Sequence, residues 1–91
     1  MPNLEKTLII VNKLGLHARA ATKLAQLSQQ FDAQISISLG EKTADANSIM
    51  ALMLLAGGQG KSVTIKTEGN DAESALDSIC QLINDKFDED E

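Results

Sequence analysis

Ala33-Gln34-Ile35-Ser36-Ile37-Ser38-Leu39-Gly40 alternates apolar and polar side chains without a break. Successive side chains of a strand point to opposite faces, so Ile35, Ile37 and Leu39 enter a core while Ser36 and Ser38 face water. Gly40 then marks a hairpin turn into a short edge strand at residues 42–44. Residues 62–68 repeat the pattern, with Val63 and Ile65 inward and Thr64, Lys66 and Glu68 outward. Two strands with one wet face each fit an antiparallel sheet covered on one side only.

The remaining segments supply the cover. Residues 5–11 contain the continuous run Leu8-Ile9-Ile10-Val11 and read as a buried strand. Residues 18–31 follow helical spacing, with Ala21, Leu24, Ala25, Ser28 and Phe31 along one face. After Gly69-Asn70-Asp71, the residues Ala72, Leu76, Ile79 and Ile83 define the inner face of a last helix, capped by Asn70 or Asp71. The segment 47–58 starts at a capping residue, stops at the pair Gly57-Gly58 and is apolar on every side. A short helix on a small domain keeps part of its circumference in water, so some of Ile49, Met50, Met53 and Leu54 are expected to stay exposed. Exposed Met and Leu make an adaptable docking surface. The order is β-α-β-β-α-β-α, an α+β fold.

Ninety-one residues fit one domain, spanning 1–91, and 43% hydrophobic content is enough for a core without metal or disulfides. With Phe31 and Phe87 as the only aromatics, that core is expected to be aliphatic. The single cysteine, Cys80, excludes an internal disulfide and offers no zinc set; it reads as a buried small hydrophobe. No signal-peptide pattern and no apolar run of membrane length occurs, so a cytoplasmic protein without membrane insertion is expected. The net charge of −5 is concentrated at residues 85–91, where five acids accompany Lys86. That segment reads as a solvated, disordered acidic tail. The body is left nearly neutral, without a basic stripe or stacking aromatics, which argues against nucleic acid.

Where the first strand gives way to the first helix stands Gly15-Leu16-His17-Ala18-Arg19-Ala20-Ala21, holding the only histidine and the only arginine. A helix start presents unpaired N–H groups and the positive end of the macrodipole, which suit an anion. A neutral imidazole there can act as a nucleophile toward phosphorus, and the N–H groups and Arg19 can stabilise the dianion it acquires. The plainer reading is His17 as a helix N-cap and Arg19 as a surface cation.

Gly15-Leu16-His17-Ala18-Arg19 resembles the active-site signature of the histidine-containing phosphocarrier (HPr) proteins of the phosphoenolpyruvate-dependent phosphotransferase system. Asn47-Ser48-Ile49-Met50, the turn ending in Gln59-Gly60, and Glu68-Gly69 match further family positions in order, from residue 5 to residue 83. Asn12-Lys13-Leu14 and Phe87-Asp88-Glu89-Asp90 look like the nitrogen-related branch, the NPr type. The resemblance implies an open-faced β-sandwich, a four-stranded antiparallel sheet covered on one face by three helices. It also implies a monomeric carrier, not an enzyme, needing no cofactor or metal. Such a carrier takes a phosphoryl group from enzyme I, ultimately phosphoenolpyruvate, and passes it to an enzyme IIA.

Carried onto this chain, His17 would form the pros-phosphohistidine beside Arg19, with Ala18 and Ala20 in the phosphate cradle. Ile49, Met50, Met53 and Leu54 would dock both partners. Ala20 departs from the family's usual proline, which would preset φ and remove an N–H. Ser48 matches a regulatory phosphoserine of some members, while its local chemistry is that of a helix N-cap. The runner-up within the family is the general HPr of sugar uptake. Two readings from other classes stand beside it: a binding-only regulatory module, which would need neither His17 nor Arg19, and an acyl-carrier-like protein using Ser78. The acyl-carrier reading conflicts with three strand patterns and places Ser78 inside a helix.

Overall fold

The alternating stretch folds as β2 (Gln34–Leu39) and pairs with β3 (Lys42–Asp45) on one side and β4 (Ser62–Glu68) on the other. In the computed structural model, which describes residues 3–89, β1 (Asn3–Ile9) completes the sheet in the order β1-β4-β2-β3, all antiparallel. Ile37 lies opposite both Ala44 and Ile65, so the three apolar residues share one face in register. The other face is hydroxylated: Thr7 bonds Thr64 and Ser38 bonds Thr43, each pair at 2.9 Å between facing residues.

Three helices cover the apolar face: α1 (Ala18–Ser28), α2 (Ile49–Leu54) and α3 (Ala72–Asn84). Between them and the sheet lies one core, with Leu24, Leu52 and Ile79 from the helices meeting Ile37, Val63 and Ile65 from the strands. Cys80 is buried as expected. No helix among the described residues is long and apolar enough to cross a membrane.

Several boundaries and environments differ from the sequence reading. The run Leu8-Ile9-Ile10-Val11 is not a buried strand: β1 is an edge strand ending at Ile9, which is 47% exposed, and the buried Ile10 follows it. Thr67 continues the inward side of β4 after Val63 and Ile65, and its buried hydroxyl is satisfied by donating to Ala72 O at 2.8 Å. The first helix stops at Ser28 rather than residue 31; Ser28 Oγ donates to Ala25 O and bonds Asn47 Oδ1 at 2.9 Å. Helix α2 ends before the glycine pair, through Ala56 at φ 55°. Asp71 stands at the N-cap of α3, but its carboxylate accepts the Asp32 N–H at 2.7 Å instead of capping the helix.

The largest correction concerns the acidic end. Residues 85–89 are ordered: Lys86, Phe87 and Asp88 form a left-handed turn with φ of 60°, 54° and 63°. Phe87 is fully buried among the aliphatic side chains, so the core holds one aromatic after all. Lys23 on α1 donates to Phe87 O at 2.9 Å and ties the turn down. Asp90 and Glu91 lie outside the described residues.

Candidate functional site

The loop between β1 and α1 is fixed before it reaches His17. Asn12 is fully buried and its Nδ2 donates to Gly15 O at 3.0 Å, while the Gly15 N–H donates back to Asn12 O. Leu16 N–H donates to Gly57 O at 2.8 Å, and Gly60 N–H to Ile10 O at 2.8 Å, clamping this loop to the one after α2. Gly15 is at φ +66° and a Cβ there would lie 2.2 Å from Gly57 O. Only glycine fits this crossing, because both the backbone angle and the space exclude a side chain.

His17 is the N-cap of α1, in extended backbone conformation, and its Nδ1 accepts the Arg19 N–H at 3.4 Å. The plain N-cap reading is therefore geometrically right, and it aims Nδ1 at the helix start. Ala21 N–H, to His17 O at 2.8 Å, is the first to join the helical ladder, which leaves the N–H groups of Ala18 and Ala20 ahead of it. The Ala20 methyl is fully buried, so this residue also anchors α1 in the core. Arg19 is exposed, and its charge reaches the site from the solvent side.

On the other side of the ring stands a residue that the sequence reading missed. His17 Nε2 is 2.5 Å from Glu89 Oε2, and Asn12 Nδ2 donates to Glu89 Oε1 at 3.0 Å. Burial pushes the Glu89 carboxyl up, but the bonds from Asn12 and His17 and the charges of His17 and Arg19 outweigh it. The net effect holds it below the usual carboxylate range. A depressed carboxyl contributes stability above its unfolded value and loses it as pH falls through its folded one. The Glu89 carboxyl is therefore ionised at neutral pH, and its contribution is lost only in acid. Neither Asn12 nor Glu89 could be found from local pattern, since one follows an apolar run and the other sat in a segment read as solvated.

Helix α2 presents the four apolar residues singled out from the sequence. Met50 is 72% exposed, Leu54 70%, Met53 43% and Ile49 37%, while Leu52 and Leu55 hold the helix to the core. Three residues after Leu54, Gly57 O receives the Leu16 N–H, so the loop that ends α2 is tied to the residue before His17. Leu14, on the site loop itself, is 66% exposed. Ser48 caps α2, its Oγ accepting the Ala51 N–H at 3.2 Å. Ser78 lies inside α3, as the sequence reading placed it.

Comparison with known proteins agrees with this architecture. A family model described as the PTS HPr component phosphorylation site matches residues 4–85. The chain is 55% identical to a phosphocarrier protein NPr from Shewanella violacea, over 98% of each chain. It is 46% identical to a phosphocarrier protein HPr from Cupriavidus necator, over 97% of this chain and 99% of that one. Among solved structures, HPr from Thermoanaerobacter tengcongensis superposes with a TM-score of 0.92 at 40% identity, covering 97% of this chain and 99% of that one.

Proposed function

The chain belongs to the HPr phosphocarrier family of the phosphotransferase system, and from that premise we propose that His17 is its phosphoryl acceptor, phosphorylated on Nδ1. The observation that carries this reading is the direction of Nδ1. It faces the Arg19 N–H at the start of α1, where anionic oxygens meet unpaired backbone donors and the positive end of the helix. As the P–Nδ1 bond forms, the bond from phosphorus to the donor atom breaks and the donor takes its electron pair. Arg19 then faces the new dianion from solvent, and Ala18 and Ala20 offer N–H groups to it. The cradle is open on one side, as a carrier that must surrender its cargo requires.

The donor in this reading is an enzyme I charged by phosphoenolpyruvate, and the acceptor is an enzyme IIA. The protein acts as a monomer between them. Both partners must reach the same nitrogen, so they use the same approach, and the exposed face of α2 flanks it. Incubation with phosphoenolpyruvate and enzyme I, followed by intact mass and then by addition of enzyme IIA, tests the relay. The nitrogen-related branch is supported by the 55% identity to the NPr protein of Shewanella violacea. Side-by-side charging by nitrogen-type and sugar-type enzyme I tests that choice; faster charging by the sugar type overturns it. Ser48 keeps the capping role in this account.

Met50→Asp is expected to weaken binding of both partners by at least about tenfold, because a carboxylate buried in an apolar interface has no partner. Stability should change by less than about 0.5 kcal/mol, since Met50 is exposed and an acid in the first turn of α2 suits the helix dipole. Titration calorimetry with each partner checks this. Unchanged affinity for both would remove α2 from the docking surface.

A further inference from the structure

We propose that Glu89 is a positioning residue for this transfer: its carboxylate, delivered by the Lys86–Asp88 turn, holds the His17 ring as the Nε2–H tautomer and so keeps the attacking lone pair on Nδ1. The proposal rests on the reading of His17 as phosphoryl acceptor and adds what selects the nitrogen. Two hydrogen bonds on opposite sides of the ring require the same tautomer. A carboxylate only accepts, so the Glu89 Oε2 contact at 2.5 Å places a hydrogen on Nε2. An amide N–H only donates, so the Arg19 contact at 3.4 Å places the lone pair on Nδ1.

The carboxylate is itself held. Its second oxygen accepts from Asn12 Nδ2 at 3.0 Å, and Asn12 is fully buried and bonded to Gly15 O. The Glu89 side chain is only 9% exposed, against 27% for that of His17. What carries it there is a turn of three consecutive left-handed residues, disfavoured for any side chain and retained here because Phe87 is buried at its centre. In the transfer, Nδ1 supplies the electron pair for the new P–N bond and the ring gains positive charge. The Nε2 hydrogen stays in place and Glu89 balances that charge. When the phosphoryl group leaves, the P–N electron pair returns to Nδ1 and the same tautomer is restored. No proton has to move in either direction, which suits a carrier that is charged and discharged at one nitrogen.

The test combines nitrogen NMR of the His17 ring with phosphotransfer rates for the wild type, Glu89→Ala and Glu89→Gln. The wild-type ring is expected to carry its hydrogen on Nε2 alone. Glu89→Ala should give a mixture of tautomers and slow phosphorylation by about tenfold or more, with some phosphate on Nε2. Glu89→Gln keeps only one acceptor oxygen for the two donors Nε2–H and Asn12 Nδ2, so it should restore the tautomer, and with it the rate, only in part. A wild-type tautomer in Glu89→Ala, or a rate within about twofold of wild type despite a changed tautomer, overturns the proposal. If wild-type protein takes no phosphoryl group from enzyme I, the parent reading fails instead, and the ring spectra still decide whether Glu89 sets the tautomer.

Discussion

Replacing His17 by alanine is expected to abolish phosphoenolpyruvate-dependent phosphorylation while leaving the domain folded. The chemistry has no substitute, since His17 is the chain's only histidine and alanine supplies no nucleophile. The structural cost is small by comparison. The substitution removes a long N-cap bond of 3.4 Å and one of the two side-chain bonds to Glu89, together about 2–4 kcal/mol. A domain of this size has about 5–15 kcal/mol of stability to draw on. Circular dichroism should show the native spectrum while intact mass shows no phosphoryl gain. Continued labelling of the folded variant would place the acceptor elsewhere.

Phe87→Ala should have the largest effect on stability, a loss of about 3–5 kcal/mol. Phe87 is fully buried, and its ring is the counterweight to a turn in which three residues adopt left-handed angles costing about 1–2 kcal/mol each. Without the ring the turn has little reason to form, and Glu89 leaves His17 with it. The variant is therefore expected to unfold at lower denaturant and to show the altered His17 tautomer of Glu89→Ala. Equilibrium urea unfolding checks the first effect and ring NMR the second. A midpoint close to wild type would mean that the C-terminal turn contributes little to the fold.

How much was legible in the sequence depended on whether the signal was local. The alternation in β2 and β4 could be read because a half-buried strand must repeat every second residue. The exposure of Ile49, Met50, Met53 and Leu54 followed from geometry alone, since a helix of six residues cannot hide an apolar circumference. The pairing of His17 with Arg19 at a helix start was visible for the same reason. The fate of Leu8-Ile9-Ile10-Val11 was not, because a continuous apolar run looks alike in a central strand and at an edge whose end dips into the core. The Glu89 contact was least legible, joining residues 72 apart in sequence. Five acids in seven residues outweighed one phenylalanine in the compositional reading, yet the burial of that ring determines where Glu89 goes. Asn12 was noticed as a marker of family branch, and its role in holding both the loop and Glu89 required coordinates.

The most direct test of the central claim is intact mass spectrometry of the wild-type protein after incubation with phosphoenolpyruvate and a nitrogen-type enzyme I, followed by phosphorus and nitrogen NMR of the product. The account predicts the gain of a single phosphoryl group, bonded to His17 Nδ1 and discharged on adding an enzyme IIA. A protein that stays unphosphorylated with every enzyme I offered, or that carries its phosphoryl group on any residue other than His17, would contradict it.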